Sequence, residues 1–174
     1  MTTTLLLRTV AVATLLAATV TTLSSARGRR LPRRQATSPQ PFTLTRQHDS
    51  LYMLNDWQLP YPVYRFETGD VDGDGSDDAL VGVVKATRFH PERGRRLFIF
   101  KQVGGKARPL WLGSKLGGRL CDFRFVDGGV RSLETTTDSL YVVAFYRWHK
   151  FGLRFEHFLL RGGDRATALR LFEQ

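Results

Sequence analysis

Along residues 49–174 the apolar side chains recur mostly at every second position. Successive side chains of an extended chain point to opposite faces, so this period predicts strands with one apolar and one polar face. "RRLFIFKQV" (95–103) is followed by Gly104-Gly105, a turn signal, and then by "PLWLG" (109–113). "LCDFRFVDGGVRSLETT" (120–136) reads as a hairpin, with Cys121, Phe123 and Phe125 on one face, Asp122 and Arg124 on the other, and Asp127-Gly128-Gly129 turning. "SLYVVAFYRW" (139–148) and "FGLRFEHFLL" (151–160) form a further pair, joined around His149-Lys150. A helical period shows only near "RQHDSLYMLNDW" (46–57), and the tail "RATALRLFEQ" (165–174) fits a last strand or a short helix. About eight strands on short links predict an all-β, antiparallel domain over 49–174, a length suited to one domain.

The N-terminus carries a different pattern. In "MTTTLLLRTVAVATLLAATVTTLSSARG" a single cation, Arg8, precedes an apolar stretch from Thr9 to Leu23, and the small residues Ser24 and Ala26 follow. That order predicts a signal peptide over 1–26, cut before Arg27, and hence export to the periplasm, cell surface or medium. The stretch is short and threonine-rich beside the roughly 20 apolar residues of a bilayer span, though an uncleaved anchor is the alternative. No cysteine follows the apolar region, which argues against a lipoprotein. Residues 27–48 read as a basic, proline-bearing flexible linker.

Charge sharpens that division. The chain has 26 Lys and Arg against 16 Asp and Glu, a formal net charge of +10. Six arginines and no acids fall within residues 27–46, so the domain beyond is nearly balanced. Arg27, Arg29, Arg30, Arg33 and Arg34 are suited to an anionic surface through charge alone, while a solvated linker needs no partner. In an exported chain a nucleic-acid partner is not expected. The one cysteine, Cys121, excludes an intrachain disulfide and reads as a small buried strand residue.

The acids are not spread evenly. In "GDVDGDGSDDALVGVV" (69–84), five of the sixteen carboxylates lie between Asp70 and Asp78. Neighbouring carboxylates repel by about 1 kcal/mol per close pair even in water, so such crowding implies a cation among them. Counting from Asp70, carboxylates stand at positions 1, 3, 5 and 9 (Asp70, Asp72, Asp74, Asp78), with Gly75 at 6 for a sharp turn and Ser76 at 7 to offer its carbonyl. This is the oxygen-ligand order of a calcium loop, with Asp77 pointing outward. Position 12 is Val81 rather than the bidentate Glu of an EF-hand, and strand formers flank the loop on both sides. The loop therefore joins two strands, with Asp78 supplying the bidentate contact. An acidic surface turn without an ion is the alternative.

The Gly-Asp opening, the D-x-D-G-D-G-x-x-D core and the Val-Gly strand after it resemble the calcium-binding half of the FG-GAP, or VCBS-type, repeat of integrin α-subunit propellers and many exported bacterial proteins. The resemblance covers one copy and implies calcium at Asp70, Asp72, Asp74 and Asp78, with Ser76 through its carbonyl. It also implies a blade-like β-meander. A propeller blade takes about 40–45 residues and a closed ring at least about four blades, so this chain is expected to form an incomplete propeller-like stack. The segment "LYMLNDWQLPYPVY" (51–64) is then expected to cap a sheet edge.

No catalytic pattern stands out. His48, His90, His149 and His157 lack metal-ligand spacing, no G-x-S-x-G elbow occurs, and Glu67 and Asp122 are the one candidate carboxylate pair of glycosidase type. Trp57, Tyr61 and Tyr64 are candidates for an exposed aromatic platform contacting a glycan or protein ligand, against the alternative that they fill the core. The sequence thus points to an exported, non-enzymatic, calcium-binding β-domain serving as a binding or scaffolding module at the envelope or surface. The alternative is an exported hydrolase-like enzyme, or a subunit of one, with a structural calcium site.

Overall fold

The computed structural model describes residues 40–88, 90–113 and 116–174. The expected signal peptide and Arg27 to Arg34 lie outside the described residues. The described chain is all-β apart from one C-terminal helix. Strands β1 (Leu44–His48), β2 (Leu51–Leu54) and β3 (Trp57–Leu59) form a first antiparallel sheet. Strands β4 (Val63–Gly69), β5 (Asp78–Thr87), β6 (His90–Val103) and β7 (Lys106–Leu112) form a second in simple meander order. Strands β8 (Arg119–Val126), β9 (Gly129–Thr135), β10 (Tyr141–His149) and β11 (Gly152–Gly163) form a third, and helix α1 (Arg165–Glu173) follows.

The burial pattern gives the stacking. Leu54 and Leu59 of the first sheet pack on Ala79, Val81, Val83, Phe98 and Phe100 of the second. From the opposite face of that second sheet, Leu80, Leu97 and Ile99 pack on Phe123, Val130, Val142 and Ala144 of the third. The other face of the third sheet, through Leu133 and Val143, takes Ala168 and Phe172 of α1. The second sheet is thus covered on both faces. This accounts for the apolar run "ALVGVV" in β5, since successive residues from Ala79 to Val83 are buried on both faces.

The turns follow local chemistry. Gly104 and Gly105 take φ values of 61° and 75° between β6 and β7, the left-handed pair of a tight hairpin turn. Asp127 and Gly128 do the same between β8 and β9, at 51° and 67°. The β10–β11 pair meets where expected, with His149 opposite Gly152. Its register shifts at three places, so the outermost strand β11 is irregular along its length.

Four expectations need correction. The helical pattern over 46–57 gives way to β1, β2 and β3, because Asn55 holds a left-handed φ of 51° and its side-chain oxygen accepts the N–H of Thr43, closing a sheet. That sheet lies across a face of the second sheet rather than capping an edge. It also draws in Phe42, buried at 7 % exposure, and β1, so the fold begins before Asp49 and includes the end of the expected linker. Cys121 does not share a face with Phe123 and Phe125. A bulge between Leu120 and Asp122 turns it toward the helix-side cluster, while both phenylalanines face the second sheet.

The tail is a helix because both of its ends are satisfied. Asp164 caps the first turn, accepting the N–H of Thr167 at 2.9 Å and its hydroxyl at 2.8 Å. At the other end Arg131 donates to the carbonyls of Leu171 and Phe172, and Arg124 to that of Glu173. Among the described residues no helix is long and apolar enough to cross a membrane.

Candidate metal centre

The acidic loop connects β4 to β5 within the second sheet, with Gly69 opposite Asp78 at its neck. The ring of Phe125 from the third sheet lies directly on Gly69, where an added Cβ would come within 2.1 Å of it. Core packing therefore fixes the base of the loop, and only the tip meets solvent.

Within the loop the carboxylates organise the backbone. Asp70 accepts three N–H groups: Gly73 at 2.8 Å and Asp74 at 3.0 Å on one oxygen, and Gly75 at 2.9 Å on the other. Asp78 accepts Val71 N–H at 3.0 Å and Asp72 N–H at 3.3 Å, and Asp74 accepts Ser76 N–H at 2.9 Å. Gly73 and Gly75 hold positive φ values of 77° and 83°. Oxygen atoms of Asp70, Asp72 and Asp78 all lie within 4.8 Å of one another. The donors are hard oxygens at a sharp turn, and that set suits calcium. No other group of three such His, Cys, Asp or Glu side chains occurs among the described residues.

Of the expected side-chain ligands, Asp74 stands outside this group. Asp74 turns away from the group to the ammonium of Lys101 at 2.8 Å, which also holds Asp72 at 2.5 Å. Ser76 is exposed at the loop tip, bonded through its N–H to Asp74. Lys101 is the residue that loop spacing did not reveal. It follows Phe100, which pairs with Ala79, and so stands on the neighbouring strand beside Asp78. A lone lysine ending the apolar run "LFIF" was the available signal, but only the β5–β6 register ties it to the loop.

The electrostatics are uneven. Burial, and then the charge of Asp72, push the Asp78 carboxyl up to about 6, with the Val71 and Asp72 N–H groups opposing. Lys101 holds Asp74 below the usual carboxylate range, and its bonds to Asp72 and Asp74 push its own ammonium up. One buried carboxylate therefore lacks adequate neutralisation, while its exposed neighbour has a cation.

The other sequence candidates are dispersed. Trp57 and Tyr61 pack beside the core of the first and second sheets, on Phe100 and Phe98 at ring-centroid distances of 5.8 and 5.9 Å. Tyr64 points to the opposite layer against Phe123, with its hydroxyl buried and unpartnered. Burial, and secondarily Asp122, push that hydroxyl's pKa up. The three do not form one platform. Glu67 and Asp122 are brought together, but on Arg65, which donates twice to Asp122 at 2.6 Å and once to Glu67 at 2.9 Å. Glu67 also accepts Phe125 N–H at 2.6 Å. This triad staples β4 to β8. His157 stacks on Phe145 at 5.3 Å on the outermost strand.

Compared with protein-family models, with curated proteins and with solved structures, the chain matches none.

Proposed function

We propose that this chain is a calcium-stabilised β-sheet protein, exported and non-enzymatic, that serves as a binding or scaffolding module at the envelope or surface. The observation that carries the reading is the convergence of Asp70, Asp72 and Asp78 on one turn, with Asp78 only 1 % exposed. Three carboxylates so placed repel one another, and a divalent ion removes that repulsion and the burial penalty of Asp78 together. The FG-GAP resemblance of the loop supports calcium as the ion. Calcium would be held by Asp70, Asp72 and Asp78, joined by Asp74 once it leaves Lys101, with Ser76 offering its carbonyl. Its contribution is charge neutralisation at the neck of two strands. No catalytic step is assigned, because the candidate acid pair Glu67 and Asp122 is committed to Arg65.

Calorimetric titration of the chelator-stripped chain tests this. One site per chain, with a higher melting temperature in calcium, is the expected result; no heat and no thermal shift overturn it. Lys101 supports a second reading, in which its ammonium is the permanent counter-charge of Asp72 and Asp74 and no ion binds. Lys101→Met separates the two. Under the calcium reading the variant binds the ion more tightly and is restored by it, whereas under the ion-free reading it is destabilised and calcium does nothing.

A further inference from the structure

The acidic loop has a counterpart of opposite sign elsewhere in the fold. A cleft of about 580 Å³ lies between the N-terminal part of β6 and the start of β8. Arg93, Arg95, Arg96 and Arg119 line it, with Glu92 as the one acid among the described lining residues. Arg46, Arg65, Arg108 and Arg147 each pair with a carboxylate, whereas Arg124, Arg131, Arg154, Arg161, Arg165 and Arg170 do not. The four cleft arginines have no carboxylate partner among the described residues either, and what sets them apart is that they line one concave site together. Like charges crowded without partners at one concave site imply a ligand of opposite charge, by the same reasoning that applies to the aspartates.

The walls are built rather than loose. Arg95 donates to the carbonyl of Cys121 on β8, and its guanidinium carbon lies 4.6 Å from the Tyr64 ring centroid. Arg96 donates to the carbonyls of Arg95 and Glu92, both at 2.9 Å, which leaves its Nε buried and unpartnered. On the opposite wall the Gly118 N–H, next to Arg119, donates to the carboxylate of Glu134, itself 1 % exposed. Glu134 is held in turn by the Ser132 hydroxyl at 2.6 Å and the Tyr146 hydroxyl at 2.9 Å. Two guanidiniums are thus anchored to backbone, while those of the exposed Arg93 and Arg119 have no hydrogen-bond partner among the described residues.

We propose that this cleft binds a compact chain of linked phosphates. Guanidinium forks match phosphate oxygens in pairs, and the volume falls within the roughly 300–1,000 Å³ of small-ligand sites. Four cations within that volume call for several negative charges on a small molecule. A chain of phosphates supplies them, whereas a single carboxylate or a neutral sugar does not. The proposal does not depend on calcium at the acidic loop.

The test is calorimetry of the full chain with sodium tripolyphosphate in calcium-free buffer. One site per chain is expected, with orthophosphate bound more weakly. Arg93→Ala and Arg119→Ala should each weaken binding about tenfold or more, the loss of one charge-assisted contact, with unchanged melting temperatures. Arg147→Ala, on the distant β10–β11 pair, should bind as the parent does. Adenosine triphosphate in place of tripolyphosphate identifies the source. Affinity at least about tenfold higher assigns the phosphates to a nucleotide, and equal affinity assigns them to the bare chain; either supports the site. Absence of binding overturns the proposal. So does binding that Arg93→Ala and Arg119→Ala leave unchanged, which would place the anion on the basic arm from Arg27 to Arg34.

Discussion

Asp78 begins β5 with its carboxylate almost wholly out of water, and the N–H groups of Val71 and Asp72 do not offset the loss. Its pKa rises from an ordinary 3.8 to about 6. An acid whose pKa is raised by folding binds its proton more tightly in the native state. The contribution of Asp78 to native stability is therefore full below about pH 3.8 and falls as the pH climbs toward 6, by at most about 3 kcal/mol. Chelator-stripped protein followed by denaturant titration at pH 4, 5, 6 and 7 should show this fall, and Asp78→Asn should abolish it. Lys101 acts in the opposite sense on Asp72 and Asp74. Lys101→Met should cost the metal-free protein about 1–2 kcal/mol, since each contact is partly solvated, and calcium should restore the loss. A stability unchanged by this substitution would show that the ammonium contributes nothing to the loop.

At the scale of elements, the legibility of the sequence followed the range of the interactions that decide each segment. The hairpin turns at Gly104-Gly105 and Asp127-Gly128 were readable because left-handed φ is a local demand, and the cluster of Asp70, Asp72 and Asp78 because its spacing is local too. The bulge at Cys121 was not, because it arises from how β8 lies against β9 and the layers on either side. The segment 46–57 has a helical period, but the Asn55 turn and the cover it gives to Phe98 and Phe100 outweigh that propensity. Helix α1 was ambiguous because Arg124 and Arg131, which satisfy its last carbonyls, sit 49 and 40 residues earlier than their partners. Its cap gives a test at this scale. Thr167 holds Asp164 below its ordinary 3.8, so the stabilisation is present above that pH and is lost as acid protonates it. Asp164→Ala should lower amide protection factors in the first turn of α1 at neutral pH, and acidification of the parent below the carboxyl's ordinary range should lower them too, once the slower intrinsic exchange in acid is divided out. At the loop's neck, Gly69→Ala should destabilise by about 1–3 kcal/mol, because the new methyl meets the Phe125 ring.

For the whole molecule, the three sheets and the helix make four layers in series, and the acidic loop sits at one end of the sheet that touches both neighbours. Tying β4 to β5 there should be felt by the entire stack rather than by one hairpin. Calcium at about one hundred times its dissociation constant contributes about 2.7 kcal/mol to the folded state. For a domain of this length that corresponds to a rise of roughly 5–10 °C in a single cooperative transition. A biphasic melt in which calcium moves only one phase would mean that the layers unfold separately.

The three register shifts along β11 bear on what becomes of a stack that never closes into a ring. An outermost strand normally offers a regular row of donors and acceptors on which another chain can template itself, and β11 also shows solvent Phe155 and Phe158, with Phe151 exposed in the turn before it. Broken in three places, it gives an incoming strand no long stretch of matching spacing, so polymerisation through backbone pairing stalls after a few residues while the aromatic side chains stay accessible. Irregularity at its rim thus keeps an open stack of sheets from growing without end.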